Sequence, residues 1–356
     1  MHEADRYDYD LPRDLIAQEP LTDRAAARLL VVRRAAGSLE HRHVRDLPDL
    51  LAPGDLVVVN DTRVVPARLV GRRAATGGKW EGLFLGIEPG GPHAGAWRVL
   101  AQTRGRPSPG ERIVLLDRTG GDAAEITLVD RAAGGAWLVA SAGGEAVEAV
   151  LARVGRVPLP GYIRGGEEEP GDAERYQTVF ARESGSAAAP TAGLHFTDEL
   201  LAKLTARGIG LAHVTLHVGL DTFRPITAPR LDDHLMHTEW CVCPPETVAA
   251  VQETRARGGR VVAVGTTAVR TLETAASRAT GSEPFAPWSG PTDLFIRPGH
   301  AFRAVDCLLT NFHMPRTTLM VLVSTFAGHE LVRRVYAEAI RERYRFLSYG
   351  DAMLLG

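Results

Sequence analysis

Cysteine is scarce and badly spaced: Cys241, Cys243 and Cys307 are the only three. An odd count, with two of them one residue apart, makes neither a disulfide framework nor a set of zinc ligands. They read as reduced packing residues. No stretch has the run of apolar residues that a membrane span needs, and Met1-His2-Glu3-Ala4-Asp5 is acidic, unlike a secretory signal. Both absences point to a cytoplasmic protein. A dominant charge is missing too. The formal net charge of −2 exerts no global pull on a polyanion, so such a partner needs a local basic patch. There is no GxGxxG dinucleotide fingerprint, no P-loop, no methyltransferase-type cofactor loop and no HExxH. Internal repeats and low-complexity tracts are absent as well. What is present is an ordinary globular composition, 45% hydrophobic and 24% charged over 356 residues, long enough for a sizeable core and two domains.

The texture of the chain changes twice. The first stretch, from Tyr9-Asp10-Leu11-Pro12 to Val31-Val32, reads as an extended entry, a short helix and a buried strand, and another strand follows at Leu56–Asn60. From about Val70 to Val154, short β-type runs such as Trp97–Leu100, Arg112–Leu116 and Ala136–Val139 alternate with Gly77-Gly78, Gly90-Gly91-Pro92 and Gly120-Gly121-Asp122. Short strands at regular spacing with turn signals predict a small barrel or sandwich. After Pro158-Leu159-Pro160-Gly161, strands alternate with helical patterns, the mark of an α/β layer. Arg260–Val264 is a continuous apolar run, as in a strand buried on both faces, and the segment 318–327 reads as a core helix. The expected fold is therefore a discontinuous α/β main domain, residues 1–65 and 155–356, interrupted by an inserted all-β barrel-like domain at 66–154.

Ligands of open α/β sheets bind beyond the carboxyl ends of the strands. Three strand-to-helix junctions are rich in polar groups there. In Val264-Gly265-Thr266-Thr267-Ala268-Val269-Arg270, the glycine permits a tight turn, and Thr266 or Thr267 can cap a helix whose free N–H groups favour an anion. In Thr310-Asn311-Phe312-His313-Met314-Pro315-Arg316, amide, imidazole and guanidinium precede an apolar helix. The strand at 210–218 alternates, with His213, Thr215 and His217 on one face, and ends on His217. A structural hydrogen-bonding role is open for each. If Asp232–Glu239 is helical, His234 and His237 share a face, but no complete metal-ligand set accompanies them. Gly193, in Thr191-Ala192-Gly193-Leu194-His195, permits close backbone approach to a ligand before a helix that starts at Thr197 and stops at Gly208. Basic residues cluster at Arg63, Arg68, Arg72 and Arg73, and again at Arg333, Arg334, Arg341, Arg343 and Arg345 on the last helix. Such runs are solvated faces unless they flank a cleft and hold phosphates.

Longer motifs go further. Leu15-Ile16-Ala17-Gln18, Asn60-Asp61-Thr62-Arg63-Val64-Val65-Pro66-Ala67-Arg68-Leu69, Tyr176–Ala181, Ala189–Thr197, Val214–Leu220, His234-Leu235-Met236-His237, Val264–Thr267, Thr310–His313 and Ser348–Met353 occur in order along the chain. Together they resemble the S-adenosylmethionine:tRNA ribosyltransferase-isomerase family of queuosine biosynthesis, most weakly in the β insertion. Ala187, Asp221, Thr238 and Met314 depart from the family's usual Val, Gly, Ser and Leu; of these, Asp221 puts a carboxylate into a glycine loop.

The resemblance implies transfer of the ribosyl part of S-adenosylmethionine to 7-aminomethyl-7-deazaguanine at the wobble position of tRNA. Adenine and methionine leave, and the sugar becomes the carbocyclic epoxide of epoxyqueuosine. S-adenosylmethionine is then a co-substrate, no metal is required, and the partner is a tRNA with a GUN-type anticodon, with no membrane and no obligate protein partner. The implied acid and base candidates are His195, His217, His237, His313 and Asp351, not assigned between the two roles. Thr191, Gly193, Thr266, Thr267 and Arg270 are expected to hold the co-substrate or a phosphate, and Arg63, Arg68, Arg72 and Arg73 the tRNA. The alternatives are related ribosyl transfer on a free base or nucleoside, and a non-catalytic RNA-binding protein of the same fold.

Overall fold

Leu56–Asn60 and Val261–Val264 are buried at every position, as strands covered on both faces must be. They lie at the centre of a nine-stranded sheet in a computed structural model that describes residues 2–219, 225–279 and 285–356. Across the sheet the order is Trp288–Thr292, Glu239–Cys243, Gly210–Leu216, Leu56–Asn60, Val261–Val264, Cys307–Asn311, Ala352–Leu355, Arg28–Arg33 and Ser38–His43. The four strands from Gly210–Leu216 to Cys307–Asn311 run parallel. Ala352–Leu355 runs against Cys307–Asn311, with Asn311 opposite Ala352. The start of this last strand and the ends of the four parallel ones therefore share one edge.

Alternation sorts the core. Leu29, Val31, Val57, Val59, Val262, Val264, Leu309 and Leu354 share one apolar cluster with Phe196, Leu200 and Leu204. The last two belong to the helix Asp198–Ala206, whose N-cap Thr197 accepts from the Leu200 N–H. Helix Gly265–Arg278 packs against the parallel strands, and Thr318–Ala327 is apolar and largely buried. All three cysteines are free and buried, and burial pushes the Cys241 and Cys243 thiols up to about 11 and about 12. No helix among the described residues is long and apolar enough to cross a membrane.

The inserted segment closes on itself. Arg68–Arg73, Lys79–Ile87, Trp97–Thr103, Arg112–Leu116, Asp122–Arg131 and Trp137–Ser141 form a six-stranded antiparallel barrel. Its interior holds Leu69, Trp80, Trp97, Val99, Ile113, Leu115, Ile126, Leu128, Trp137 and Val139. Helix Val147–Val154 adds Val147, Val150, Leu151 and Val154 to the same cluster. The fold class is the one expected, an α/β domain in two chain segments with an inserted barrel.

By their contacts, residues 1–63 and 177–356 form one compact unit and Val64–Tyr176 the other. Residues 155–176 group with the barrel in this division. There the Arg68 and Arg156 backbones exchange hydrogen bonds, and the Arg68 guanidinium donates to the Gly166 carbonyl.

Several local expectations are corrected. The amino-terminal helix is instead three short 3₁₀ turns, Glu3–Tyr7, Arg13–Leu15 and Arg24–Ala26. After a single turn at Leu231–Asp233 the chain is not helical, so His234 and His237 do not share a helix face. Arg343 and Arg345 lie beyond the last helix, His329–Arg341. Neither Thr266 nor Thr267 caps Gly265–Arg278, because both lie inside it and its N-cap is Val264.

Gly71 shows how tightly the barrel is closed. A β-carbon there would sit 2.5 Å from the Val114 carbonyl oxygen, a backbone atom that cannot step aside. Gly71→Ala is expected to destabilise by about 1–3 kcal/mol through overpacking. Gly90→Ala, where a β-carbon meets nothing within 4 Å, is the control. Thermal melts of both variants check this; equal melting temperatures would contradict it.

Candidate active site

The shared sheet edge is where polar side chains from distant segments meet. Thr191 Oγ1 donates to Asn311 Oδ1 at 2.9 Å. Asn311 Nδ2 lies 3.2 Å from His195 Nε2 and donates to the Asp351 carbonyl at 3.3 Å. An amide nitrogen has two hydrogens, and both are used, which leaves His195 Nε2 as an acceptor and its ring neutral. Electrostatics agree. Burial, then repulsion from Arg345 and Arg24, lowers the His195 pKa to about 4.

The Asp351 carboxylate takes Arg28 N–H at 2.9 Å and Arg345 N–H at 2.8 Å, one on each oxygen. Burial raises its pKa and these two backbone donors oppose the rise. Asp351 therefore pins two backbone segments together at the edge.

His313 is locked from three sides. Its Nε2 pairs with Thr310 Oγ1 at 2.9 Å, its N–H donates to the Tyr336 hydroxyl at 2.9 Å, and its carbonyl accepts from the Tyr9 hydroxyl. Burial lowers its pKa to about 3, so it too is neutral at physiological pH. His217 differs in being only half-buried. Its Nδ1 lies 2.8 Å from Thr62 Oγ1. Burial lowers its pKa while Asp61 and Glu183 oppose the shift. Gly185 leaves room for this ring, since a β-carbon there would come within 2.9 Å of it. Asp61, itself buried, accepts from Thr215 Oγ1 at 2.7 Å and pairs with Arg182 at 2.8 Å.

Besides a void of about 20 Å³ beside His195, two hollows open here among the described residues. A void of about 30 Å³, room for roughly one water, is lined by Thr191, Gly265, Thr266, Thr267, Asn311 and His313, among others. A larger cavity of about 430 Å³ is lined by His234, Met236, His237, Glu239, Arg270 and Thr318, with others. In its wall Arg270 is 3% exposed and Glu239 6%. They form an ion pair; Arg270 Nε also donates to the Leu294 carbonyl at 3.2 Å, and Glu239 Oε1 accepts from Gly219 N–H at 2.9 Å.

The candidate residues thus fall into groups. Thr191, His195 and Asp351 meet through Asn311, while Thr191, Thr266, Thr267 and His313 line the small void. Arg270 and His237 line the large cavity. His217 is not among the residues lining either hollow. Gly193 serves packing, for a β-carbon there would press on Phe180 and Thr178 at 2.8 and 2.9 Å.

In the basic cluster, Arg63 donates to the Ala181 carbonyl at 2.7 Å. Arg68 pairs with Glu81 and Glu167, Arg72 with Asp122, and Arg73 with Glu111. Asp221 lies outside the described residues. Among the described residues no cluster of His, Cys, Asp or Glu is arranged to hold a metal ion. Thr62, Asp61 and Glu239 escaped the site expectation. The signal for Asp61 was a polar residue directly after the buried strand Leu56–Asn60.

Comparison with known proteins returns one consistent answer. A family model described as queuosine biosynthesis protein matches residues 4–355. A Symbiobacterium thermophilum protein named S-adenosylmethionine:tRNA ribosyltransferase-isomerase is 50% identical over 350 residues, covering 98% of each chain. A protein of the same name from an Anaeromyxobacter species is 51% identical over 356 residues, covering 98% of this chain and 97% of its own. The crystal structure of S-adenosylmethionine tRNA ribosyltransferase from Thermotoga maritima covers 99% of this chain and 100% of its own, with a TM-score of 0.55 and 36% identity.

The buried neutral histidines give a pH prediction. His195 and His313 titrate at about 4 and about 3 when folded, below the unfolded value of about 6.5. Below about pH 6.5 the unfolded chain binds the extra proton, so their stabilisation is full above that pH and drains away as pH falls toward 4 and 3. Each contributes at most about 1.4 kcal/mol per pH unit in that window. Denaturation between pH 7 and 4 should show a smaller slope for His195→Gln than for the parent protein. An unchanged slope would mean that His195 is protonated in the folded state.

Proposed function

The chain belongs to the queuosine biosynthesis protein family, and from that membership we propose that it transfers and isomerises the ribosyl moiety of S-adenosylmethionine onto 7-aminomethyl-7-deazaguanine at the wobble position of tRNA. Adenine and methionine are released and epoxyqueuosine remains on a tRNA with a GUN-type anticodon, in the cytoplasm. S-adenosylmethionine is consumed as a co-substrate, and the proposed chemistry needs no metal. The observation that carries the reading is the convergence of Thr191, His195, Asn311, His313 and Asp351 on the carboxyl edge of the parallel strands, beside two hollows. The catalytic domain, expected at 1–65 and 155–356, is on this proposal the unit that carries the nine-stranded sheet.

The chemistry asks for a base and an acid. The sulfonium acidifies the adjacent C5′ proton, which a positioned base removes, and departing adenine is assisted by a proton donor. His217 lines neither hollow, but of the candidates its surroundings best favour proton uptake. It is half-buried, Thr62 orients its Nδ1, and Asp61 and Glu183 favour the imidazolium formed by proton uptake. His195 and His313 are neutral and already hydrogen-bonded, so they position rather than supply protons. Asp351, with both oxygens taken by main-chain donors, holds the edge in shape. Arg270 and His237 line the larger hollow, the one with room for the co-substrate, while Thr191, Thr266 and Thr267 line the water-sized void beside the edge, with Gly193 setting the loop's packing. The wobble base must leave the anticodon stack to arrive there.

Single-turnover adenine release, with mass spectrometry of the tRNA, tests the assignment. His217→Ala should slow release by ~10²–10⁴, the usual cost of losing an acid or base. His313→Ala should instead lower the melting temperature with near-normal turnover per folded molecule. Full release by His217→Ala would move the base role to another group.

Binding of tRNA is assigned to Arg63, Arg68, Arg72 and Arg73. Arg72 is the most exposed of the three barrel arginines, at 40% of its side chain. Arg72→Gln and Arg63→Gln should each weaken tRNA binding and flatten its salt dependence by about 0.9 in log–log slope per lost phosphate contact, leaving S-adenosylmethionine affinity unchanged. Unaltered slopes in both would place the footprint elsewhere, with Arg333, Arg334 and Arg341 next to test.

A further inference from the structure

We propose that Trp240 is the platform on which the acceptor base of the tRNA stacks, beside His217, once it has left the anticodon. The inference rests on the functional reading above for the identity of the base. The platform itself stands on strand register and exposure.

Two buried donors at the strand ends, Arg270 Nη2 and Thr267 Oγ1, lack partners among the described residues, but both atoms are closed to solvent. Trp240 is open, with 51% of its surface exposed. Of the five tryptophans it alone is exposed, since Trp80, Trp97 and Trp137 fill the barrel and Trp288 is half-buried. A single exposed apolar side chain is ordinary on a protein surface. Position sets this one apart. Glu239–Cys243 pairs antiparallel with Gly210–Leu216, Thr215 opposite Val242 and Leu216 opposite Cys241. One step further on, the His217 N–H donates to the Trp240 carbonyl at 3.0 Å, so His217 stands opposite Trp240. Directly opposed residues project from the same face. On its other side Trp240 stands opposite Pro291, so His217, Trp240 and Pro291 form one row across three strands.

The outer part of this face is open and carries no charge. Trp240, Val242, Ser289 and Pro291 make it up, and none of them is buried, whereas Glu239, Cys241, Cys243, Gly290 and Thr292 on the opposite face all are. Inward of His217 the character changes. Thr62 holds the ring by Nδ1, and the next residue, Arg63, is exposed. Asp61 takes the Thr215 hydroxyl and pairs with Arg182, whose side chain is 64% exposed. The imidazole thus lies between a flat apolar platform and two exposed arginines.

That combination selects a base on a nucleic-acid strand. An indole face is matched by another planar ring, and arginines by the phosphates that flank it. Because Asp61 and Glu183 offset Arg182, a bare phosphate gains little here, and stacking has to supply the affinity. Neighbouring strands lie ~4.8 Å apart, so a base on Trp240 lies alongside the imidazole rather than beyond it. Glu239, on the other face of the same strand, lines the larger hollow. A co-substrate in that hollow and a base on Trp240 would approach the strand ends from opposite faces.

The probe is an anticodon stem–loop carrying 7-aminomethyl-7-deazaguanine at the wobble position, compared with one that is abasic there. With the unaltered enzyme, loss of the base should weaken binding by about 5- to 150-fold, the usual worth of one stacked base. The intact stem–loop should also quench tryptophan fluorescence more than the abasic one at saturation. Trp240→Ala should weaken binding of the intact stem–loop by a similar factor and bind the abasic one as the parent does, with S-adenosylmethionine affinity and melting temperature unchanged. Trp240→Phe, which keeps an aromatic face, should restore most of the loss. Losses from the two changes that simply add, a Trp240→Ala variant that binds the intact stem–loop like the parent, or an unaltered enzyme that does not bind it would each overturn the proposal. So would a Trp240→Ala variant that loses S-adenosylmethionine affinity instead, which would put adenine on the platform. An enzyme that shows the expected coupling yet releases no adenine with any tRNA would sink the functional reading and leave the platform standing.

Discussion

One amide side chain ties the candidate site together. Asn311 ends a parallel strand and reaches Thr191, His195 and the Asp351 main chain, groups from two segments far from each other in sequence. Its geometry exists only because the sheet brings Cys307–Asn311 and Ala352–Leu355 side by side in opposite directions. The start of one strand and the end of the other then face the same way, and the 3₁₀ turn Thr191–His195 packs against Cys307–Asn311. An aspartate here would present two acceptors and no donor, failing His195 Nε2 and the Asp351 carbonyl alike. The amide fits because it offers both kinds of group.

Neutrality runs through this edge. His195 and His313 are held uncharged by burial, buried Arg270 is paired with buried Glu239, and buried Asp61 is paired with the exposed Arg182. A positively charged sulfonium substrate has reason to meet such a surface, since a site bristling with imidazolium would repel it. Half-buried His217, flanked by Asp61 and Glu183, is the group best placed to gain a proton. Its neighbours stabilise the charge it would acquire.

Much of the fold was legible because it follows from periodicity. Leu56–Asn60, Val261–Val264 and Thr318–Ala327 are apolar runs of strand or helix length, and the glycine punctuation between Val70 and Val154 marks the short strands of a barrel. Polar groups at strand ends were legible too, since His217, Asn311 and His313 each interrupt an apolar pattern. What was not legible depends on partners distant in sequence. Gly193 read as an opening for a ligand and proves to be space for Phe180 and Thr178. The arginines read as a basic patch, yet Arg73 is matched to Glu111 across the barrel wall, a pairing that spacing along the chain cannot reveal. His234 and His237 lost their helix because the chain straightens after a single turn at Leu231–Asp233.

Unpaired buried atoms do not by themselves identify a site, for Trp80 Nε1 in the barrel and Ser324 Oγ in an apolar helix also lack partners. Arg270 and Thr267 differ in their setting. Both sit on one face of one helix, both border a hollow, and that helix follows a parallel strand into the edge where ligands of such sheets bind. Ser324 lies along a largely buried helix and Trp80 within an apolar barrel core, and neither borders these hollows. Position beside the hollows at the strand ends, rather than the desolvation of either group, sets Arg270 and Thr267 apart from an imperfect core.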